Sequence, residues 1–154
     1  MTIQKNGKIA VVTGAGGTLC SEMARNLAQQ GYKVALVGRT LEKLKTVEKQ
    51  ISISGGTAIS VTADVANEQS VISAKNIIEK ELGICSVLIN GAGGNQNEAI
   101  PDLTEFDEKE LLNDGSVKGF FNLNMSVFQS VIDINTMGTV IPCFAFGRSM
   151  AKEK

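Results

Sequence analysis

Two glycine-rich turns are the segments of this sequence best suited to do chemistry. Residues 8–13 (KIAVVT) form a short apolar, β-branched run, and Gly14, Ala15, Gly16 and Gly17 follow it before a helical pattern begins. A strand that runs through glycines into a helix aims backbone N–H groups and the positive helix end at one point. Glycine also permits the tight turn and lets an anion approach the backbone closely. Such a turn can cradle a pyrophosphate. A full dinucleotide fingerprint would place glycines at 14, 16 and 19, and position 19 is Leu. Taken alone, the turn reads equally as a tight strand-to-helix connection. A second turn, Asn90-Gly91-Ala92-Gly93, closes the apolar run 86–90 (SVLIN).

Other chemistries are excluded. The chain has no histidine, which removes Ser-His and Cys-His nucleophiles and zinc sites built on imidazole. Cys20, Cys85 and Cys143 are odd in number, far apart and each set among apolar neighbours. They are expected as reduced core thiols of a cytoplasmic protein rather than as a disulfide framework or metal site. Fifteen Lys and Arg against sixteen Asp and Glu leave a net charge of −1, too little positive charge to hold nucleic acid by counterion release. The longest apolar stretch, residues 140–146 with Pro142 inside it, falls short of the ~20 residues of a membrane span. The start, MTIQKNGKIA, has no cleavable apolar segment. With 43% hydrophobic and 20% charged residues among 154, the chain can pack one core of ordinary domain size.

Strands and helices must alternate to position the two turns. After the first turn, Leu19, Met23, Ala24 and Leu27 recur at helical spacing as far as Gly31. Residues 34–37 (VALV) read as a second strand, and Thr40 can cap a helix striped by Leu41, Leu44, Val47 and Ile51. Residues 57–63 (TAISVTA) read as a third strand. Asn67 then caps a helix carrying Val71, Ala74, Ile78 and Leu82, ended by Gly83, and residues 86–90 are the fourth strand. This alternation predicts right-handed crossovers and a doubly wound α/β fold, Rossmann-like but incomplete, with one domain over residues 1–154. The usual strand order, 3-2-1-4, brings both glycine-rich turns into the crevice at the carboxyl ends of strands one and four. Residues 94–123 lose periodicity and cluster Glu105, Asp107, Glu108 and Glu110. They read as a long functional or loosely ordered loop with room for a short helix at 107–113. Asn124 begins a last helix reaching to about Ala151, with Val127, Val131, Ile134 and Met137 on one side. Pro142 predicts a kink there, because its ring meets the Gly138 carbonyl.

Thr13-Gly14, the pair Asp64-Val65 closing strand three, the turn 90–93, and Asn135 with Gly138 in the last helix form one spaced set. That set resembles the short-chain dehydrogenase/reductase family over essentially the whole chain. The family's T-G-x-x-x-G-x-G stands here as TGAGGTLC, with Thr18 and Cys20 in place of the last two glycines. Its N-N-A-G stands as NGAG, with Gly91 in place of the second Asn. The stretches TGAGGTLCSEMA and NGAGGNQ look like the branch of mannonate (fructuronate) oxidoreductases, relatives of gluconate dehydrogenases. The resemblance implies that Gly14, Gly16, Gly17, Thr18 and Leu19 line a pyrophosphate and its adjacent ribose. It implies that Asp64 accepts from adenine with the Val65 backbone beside it, and that Asn90, Gly91, Ala92 and Gly93 run past the riboses. Asn135 would be the Asn of the family's Asn-Ser-Tyr-Lys tetrad, holding a water in the proton relay to the lysine. Without the resemblance, Asp64 is an ordinary strand-end turn former and Asn135 a helix residue bonding locally near a kink.

An NAD site usually carries a carboxylate at the end of strand two, bonded to the ribose hydroxyls. This sequence has Gly38 there, followed by Arg39 and Thr40. A missing carboxylate removes repulsion against a 2′-phosphate, and a guanidinium holds that phosphate through a planar fork. One charge-assisted hydrogen bond contributes about 1.5–3 kcal/mol, enough to favour NADP over NAD by roughly tenfold or more. The other reading of Arg39 is a solvated side chain opening a surface helix.

The family's catalytic Ser and Tyr-x-x-x-Lys fall beyond the helix that contains Asn135, and Tyr32, ahead of strand two, is the only tyrosine. Hydride transfer needs a proton donor and a group that depresses its pKa. The chain is therefore expected to be the cofactor half of a truncated reductase, inactive alone, with strand four as an open edge. The parent reaction would move a hydride between NADPH and the carbonyl of a small-molecule substrate, or in reverse from a secondary alcohol, with a sugar acid as the implied substrate. A 3-oxoacyl carrier-protein reductase, a non-catalytic NADP-binding module and a fragment that binds nothing are the alternatives. The family also implies a homo-oligomer, for which Phe128, Val131, Phe144 and Phe146 could supply the surface unless they are buried against the sheet. Asn95, Gln96 and Asn97 are expected to hydrogen-bond substrate hydroxyls. Replacing all three by Ala in the full-length enzyme should raise KM for polyols in a steady-state assay, and an unchanged KM removes them from the substrate site.

Overall fold

The computed structural model describes residues 6–112 and 114–153. The first five residues, and residue 113 at the end of the expected short helix, lie outside the described residues, as does residue 154. The first part of the chain alternates as the hydrophobic pattern predicts: β1 (Ile9–Thr13), α1 (Thr18–Gln29), β2 (Lys33–Gly38), α2 (Leu41–Ile53), β3 (Thr57–Thr62), α3 (Glu68–Glu81) and β4 (Val87–Ile89). The strands pair in parallel in the order β3-β2-β1-β4, with Val11 opposite both Ala35 and Leu88. Three 3-10 turns (Asn97–Ala99, Glu108–Leu111 and Phe120–Asn122) then lead to a long helix. It comprises α4 (Met125–Ile132), a π-helical segment (Asp133–Met137) and α5 (Gly138–Lys152).

The strand pleat divides the core in two. Val11, Ala35 and Val37 face α3 and α5, where Val71, Ala74, Ile78 and Phe146 meet them. Val12, Val34 and Leu36 face α1 and α2. β1 is buried throughout and β2 over most of its length, whereas β3 and β4 at the sides of the sheet are largely half-buried. Continuous burial is thus a property of the central pair.

The expected stripe of α1 is met at Ala24 and Leu27, which pack on the core, and not at Leu19 and Met23. Cys20, Ala24 and Ala28 are buried, whereas Leu19 is 74% and Met23 45% exposed. Small side chains at successive turns let the helix axis sit close to the sheet, and that proximity outweighs the burial of longer side chains one position away. In α2, Leu44, Val47 and Ile51 are buried and Leu41 is exposed. The Asn67 side chain accepts from the Ser70 N–H at 2.9 Å, as a cap should. Thr40 occupies the N-cap position of α2 without a side-chain bond.

The segment 94–123 is organised by a carboxylate. Asp107 caps the turn Glu108–Leu111, and Glu110, only 4% exposed, accepts from the N–H groups of Asp107 (3.3 Å) and Phe121 (3.2 Å). Those donors offset part of the cost of burying the charge and tie two turns together.

Asn124 caps α4 as expected, accepting from the Ser126 and Val127 N–H groups. A π-helical segment, Asp133–Met137, lies just before Gly138, the residue whose carbonyl Pro142 cannot serve, and α5 runs through Pro142 to Lys152. Phe146 is buried against the sheet while Phe128 and Phe144 are exposed, so the expected apolar surface splits between core and exterior. Met125–Lys152 as a whole is long and apolar enough to cross a membrane, a length that the count of unbroken apolar residues understated. Here Pro142 and Phe146 are buried in the domain.

Cys20 and Cys85 are buried as expected, but Cys143 is exposed, one position along the helix from buried Pro142. Burial pushes the Cys85 thiol up to about 11 and raises that of Cys20 as well. Thiolate is the reacting species, so at pH 8 only about one Cys85 in a thousand is reactive, a fraction that grows as pH climbs toward its pKa. Iodoacetamide at pH 8 should therefore label Cys143 first, and Cys85 only in urea, as read by peptide mass spectrometry. Early labelling of Cys85 would contradict this packing.

Candidate functional site

The parallel strands deliver their carboxyl ends to one side of the sheet, where the following turns enclose a cleft of about 490 Å³. One wall is the turn after β1 with the start of α1, contributed by Gly14, Gly16, Gly17, Thr18 and Leu19. Gly38, Arg39 and Thr40 enter from the end of β2, Val65 from beyond β3, and Gly91, Ala92 and Gly93 from beyond β4. Asp64, Asn90 and Asn135 stand outside the lining. Lys43, Leu44, Cys20, Ala63 and Ile134 complete it, none of them among the site residues expected from the sequence. Lys43 was legible in principle: it lies four residues after Arg39, about one helical turn along.

Thr13 is the hinge pin of this arrangement. Its side chain is buried, donates to the Ile89 carbonyl (3.4 Å) and accepts from the N–H groups of Gly91 (3.1 Å) and Ala92 (3.2 Å). One hydroxyl thus fastens the second glycine-rich turn to the end of β1. Gly14 has φ of 66°, and a Cβ there would lie 2.7 Å from the Gly91 carbonyl oxygen. The two turns meet backbone to backbone, which no larger residue at 14 permits. At Gly16 a Cβ would stand 2.9 Å from the Lys43 Cβ, so α2 closes directly over the first turn. Gly38 packs under Leu44, 3.3 Å from the position of a Cβ, which gives this glycine a packing reason independent of any ribose.

The start of α1 lacks the groups that usually neutralise a helix end. Gly17 at the N-cap offers no side chain, and the first turn contains no acidic residue. The N–H groups of Thr18, Leu19 and Cys20, the first three of the helix, have no intrahelical acceptor, and these residues line the cleft. Arg39 and Lys43, both exposed, stand on the α2 side, and the lining contains no carboxylate among the described residues. The arrangement can hold an anion on one wall and a second anion between two cations.

The residues outside the lining do structural work. Asp64 is exposed; its carboxylate accepts from the Ala66 N–H and its own N–H donates to the Ser70 hydroxyl, both at 3.0 Å, shaping the turn into α3. The Asn90 amide donates to Cys143 Sγ at 3.1 Å. Asn135 lies in the π-helical segment and donates through Nδ2 to the carbonyls of Gly94 (2.6 Å) and Val131 (2.8 Å), while its Oδ1 accepts from the Gly94 N–H (3.3 Å). It thereby grips the second turn from the helix side, opposite Thr13. Asn95, Gln96 and Asn97 are exposed beyond this grip, with the Gln96 amide donating to Ser130 Oγ at 2.8 Å.

A strand-turn-helix cleft of this kind defines a dinucleotide-type α/β domain. The chain belongs to the short chain dehydrogenase family, whose sequence profile matches residues 8–154. It is 42% identical over 146 residues to an uncharacterised oxidoreductase, UxuB, of Bacillus subtilis, covering 95% of this chain and 51% of that protein. An uncharacterised oxidoreductase of Haemophilus influenzae is 36% identical, with 93% of this chain and 49% of the relative covered. Among solved structures, a candidate D-mannonate oxidoreductase from Haemophilus influenza with bound NAD superposes with a TM-score of 0.83 at 33% identity, over 94% of this chain and 50% of that one. A metagenomic short-chain oxidoreductase in complex with NADP gives 0.74 at 26% identity, over 97% and 59%. The chain spans about half the length of the curated relatives it matches.

Replacing Thr13 by Val keeps the shape and removes the hydroxyl, leaving the Gly91 and Ala92 N–H groups without their acceptor. The expected cost is about 1–3 kcal/mol. It should appear as a lower urea midpoint and as faster amide exchange at 91 and 92 than in Thr13→Ser; unchanged exchange at those amides would reject the pinning role.

Proposed function

We propose that this chain is the cofactor-binding part of an NADP(H)-dependent oxidoreductase that moves a hydride between nicotinamide and a carbonyl or secondary alcohol. The observation that carries the reading is a single cleft with an uncapped helix start on one wall, two cations on the other and no carboxylate in the lining. The solved relatives with bound NAD or NADP support a pyridine dinucleotide as the ligand class.

The residues fit such a group. The first-turn N–H groups of α1, with Gly14, Gly16 and Gly17 keeping side chains out of the way, would hold the pyrophosphate. Arg39 and Lys43 would hold the 2′-phosphate, with Thr40 beside them. Asp64 and Val65 would attend the adenine, and Asn90 to Gly93 the riboses. Bound there, the cofactor supplies the hydride donor or acceptor. Asn135 keeps its proposed place in the proton relay, and its grip on Gly94 orients the turn that such a relay would border. The proton donor itself is assigned to the half of the relatives' length that this chain does not span. The D-mannonate description of the solved relative supports a sugar acid as substrate. Exposed Phe128, Ile132, Val140 and Phe144 supply an apolar face for self-association.

Calorimetric titration with NADPH and NADH tests the reading. The parent chain should bind NADPH more tightly, and Arg39→Asp should weaken NADPH by roughly tenfold or more while sparing NADH. Equal NADPH affinity in the variant would reject the phosphate assignment, and binding of neither nucleotide would reject the cofactor reading as a whole.

A further inference from the structure

We propose that Cys20 and Gly91 act as one steric unit that sets the position of the second turn against the bound dinucleotide. This inference rests on the dinucleotide reading of the cleft. Cys20 stands in the first turn of α1 and lines the cleft together with Gly91. Its thiol donates to the Gly91 carbonyl at 3.5 Å. A Cβ built on Gly91 would fall on the Cys20 sulfur, and would also crowd the Thr13 carbonyl at 3.2 Å. Gly91 does not adopt a left-handed φ, so its backbone would accept a side chain. The neighbouring sulfur is what forbids one.

These two positions are also two of the places where the sequence departs from the family pattern, with Cys20 standing for a glycine and Gly91 for an asparagine. The departures meet in one contact. Volume that the pattern puts on the second turn has been moved to the first helix, and the thiol fills the space that an asparagine Cβ would take. The peptide joining Gly91 to Ala92 is consequently held at its N–H by Thr13 Oγ1 and at its carbonyl by Cys20 Sγ. Ala92 and Gly93 line the cleft, so a shift of this peptide changes the wall that the nucleotide meets. Cys20 is thereby a positioning residue that acts through Gly91.

The test is a double-mutant cycle on the full chain, read as Kd for NADPH and NADH, with circular dichroism to confirm folding. Gly91→Asn alone overpacks the contact and should weaken both nucleotides by about tenfold or more. Adding Cys20→Gly should recover most of that loss, although Cys20→Gly alone also weakens binding by opening a void. If Gly91→Asn binds like the parent, or the double variant loses affinity as the product of the two single losses, the proposal fails. If Gly91→Asn does not fold, the double variant must regain both fold and binding, and its failure to do so overturns the pair. A parent chain that binds neither nucleotide overturns the dinucleotide reading. Coupling seen only in unfolding midpoints, with nucleotide binding unaffected by either substitution, overturns the positioning role while leaving that reading intact.

Discussion

The Thr13 hydroxyl and the backbone contact beside it hold together everything that faces the cleft. Parallel neighbours β1 and β4 lie side by side, and each runs into a glycine-rich turn. Brought together, those turns share one buried side chain that bonds to Ile89, Gly91 and Ala92, and a contact at Gly14 that tolerates no Cβ. A buried hydroxyl that satisfies three backbone groups is stabilising in proportion to what its loss would leave unpaired.

From that contact outward, the cleft is built by close approach. α1 sits low on the sheet because its buried positions are small, α2 closes over Gly16, and Gly138 lets the last helix press on Val65, whose Cγ2 would be 2.9 Å from a Cβ at 138. The π-helical segment works to the same end. Widening the helix at 133–137 brings Asn135 to the second turn, where its amide bonds to Gly94 and also supplies a donor to the Val131 carbonyl. A local irregularity of the backbone has become a clamp, a frequent use of such bulges at functional positions.

Electrostatics follow from the same geometry. No side chain caps α1 and no acid occupies its first turn, so the positive end of the helix stays available to the cleft. Arg39 and Lys43 come from the far wall at the start of α2. The acidic residues of 105–110 lie elsewhere, and Glu110 is consumed in holding its own segment together. An anion entering the cleft therefore meets fixed backbone dipoles and two cations without an opposing carboxylate in the lining.

Much of this was legible from residue order. Alternating apolar runs and helical stripes determined the doubly wound sheet, because buried parallel strands and amphipathic helices leave periodicities that local chemistry imposes, and the strand order followed as the usual one for such folds. The glycine-rich turns, Asp64-Val65 and Asn135 were legible as a spaced set, and Arg39 by its place after the end of strand two. The edge of the buried face of α1 was not, since Ala24 and Leu27 pack on the core as expected while close packing selects Cys20 and Ala28 over Leu19 and Met23. Cys143 looked like a core thiol by its neighbours and is exposed by the rotation of α5. The sequence alone determined the order of elements and the groups delivered to one end of the sheet. Tertiary structure decided which of them touch: Thr13 to Gly91, Cys20 to Gly91, Lys43 over Gly16 and Asn135 to Gly94. Contacts between residues distant along the chain depend on interatomic distances of a few ångströms, and no periodicity in a sequence records those distances.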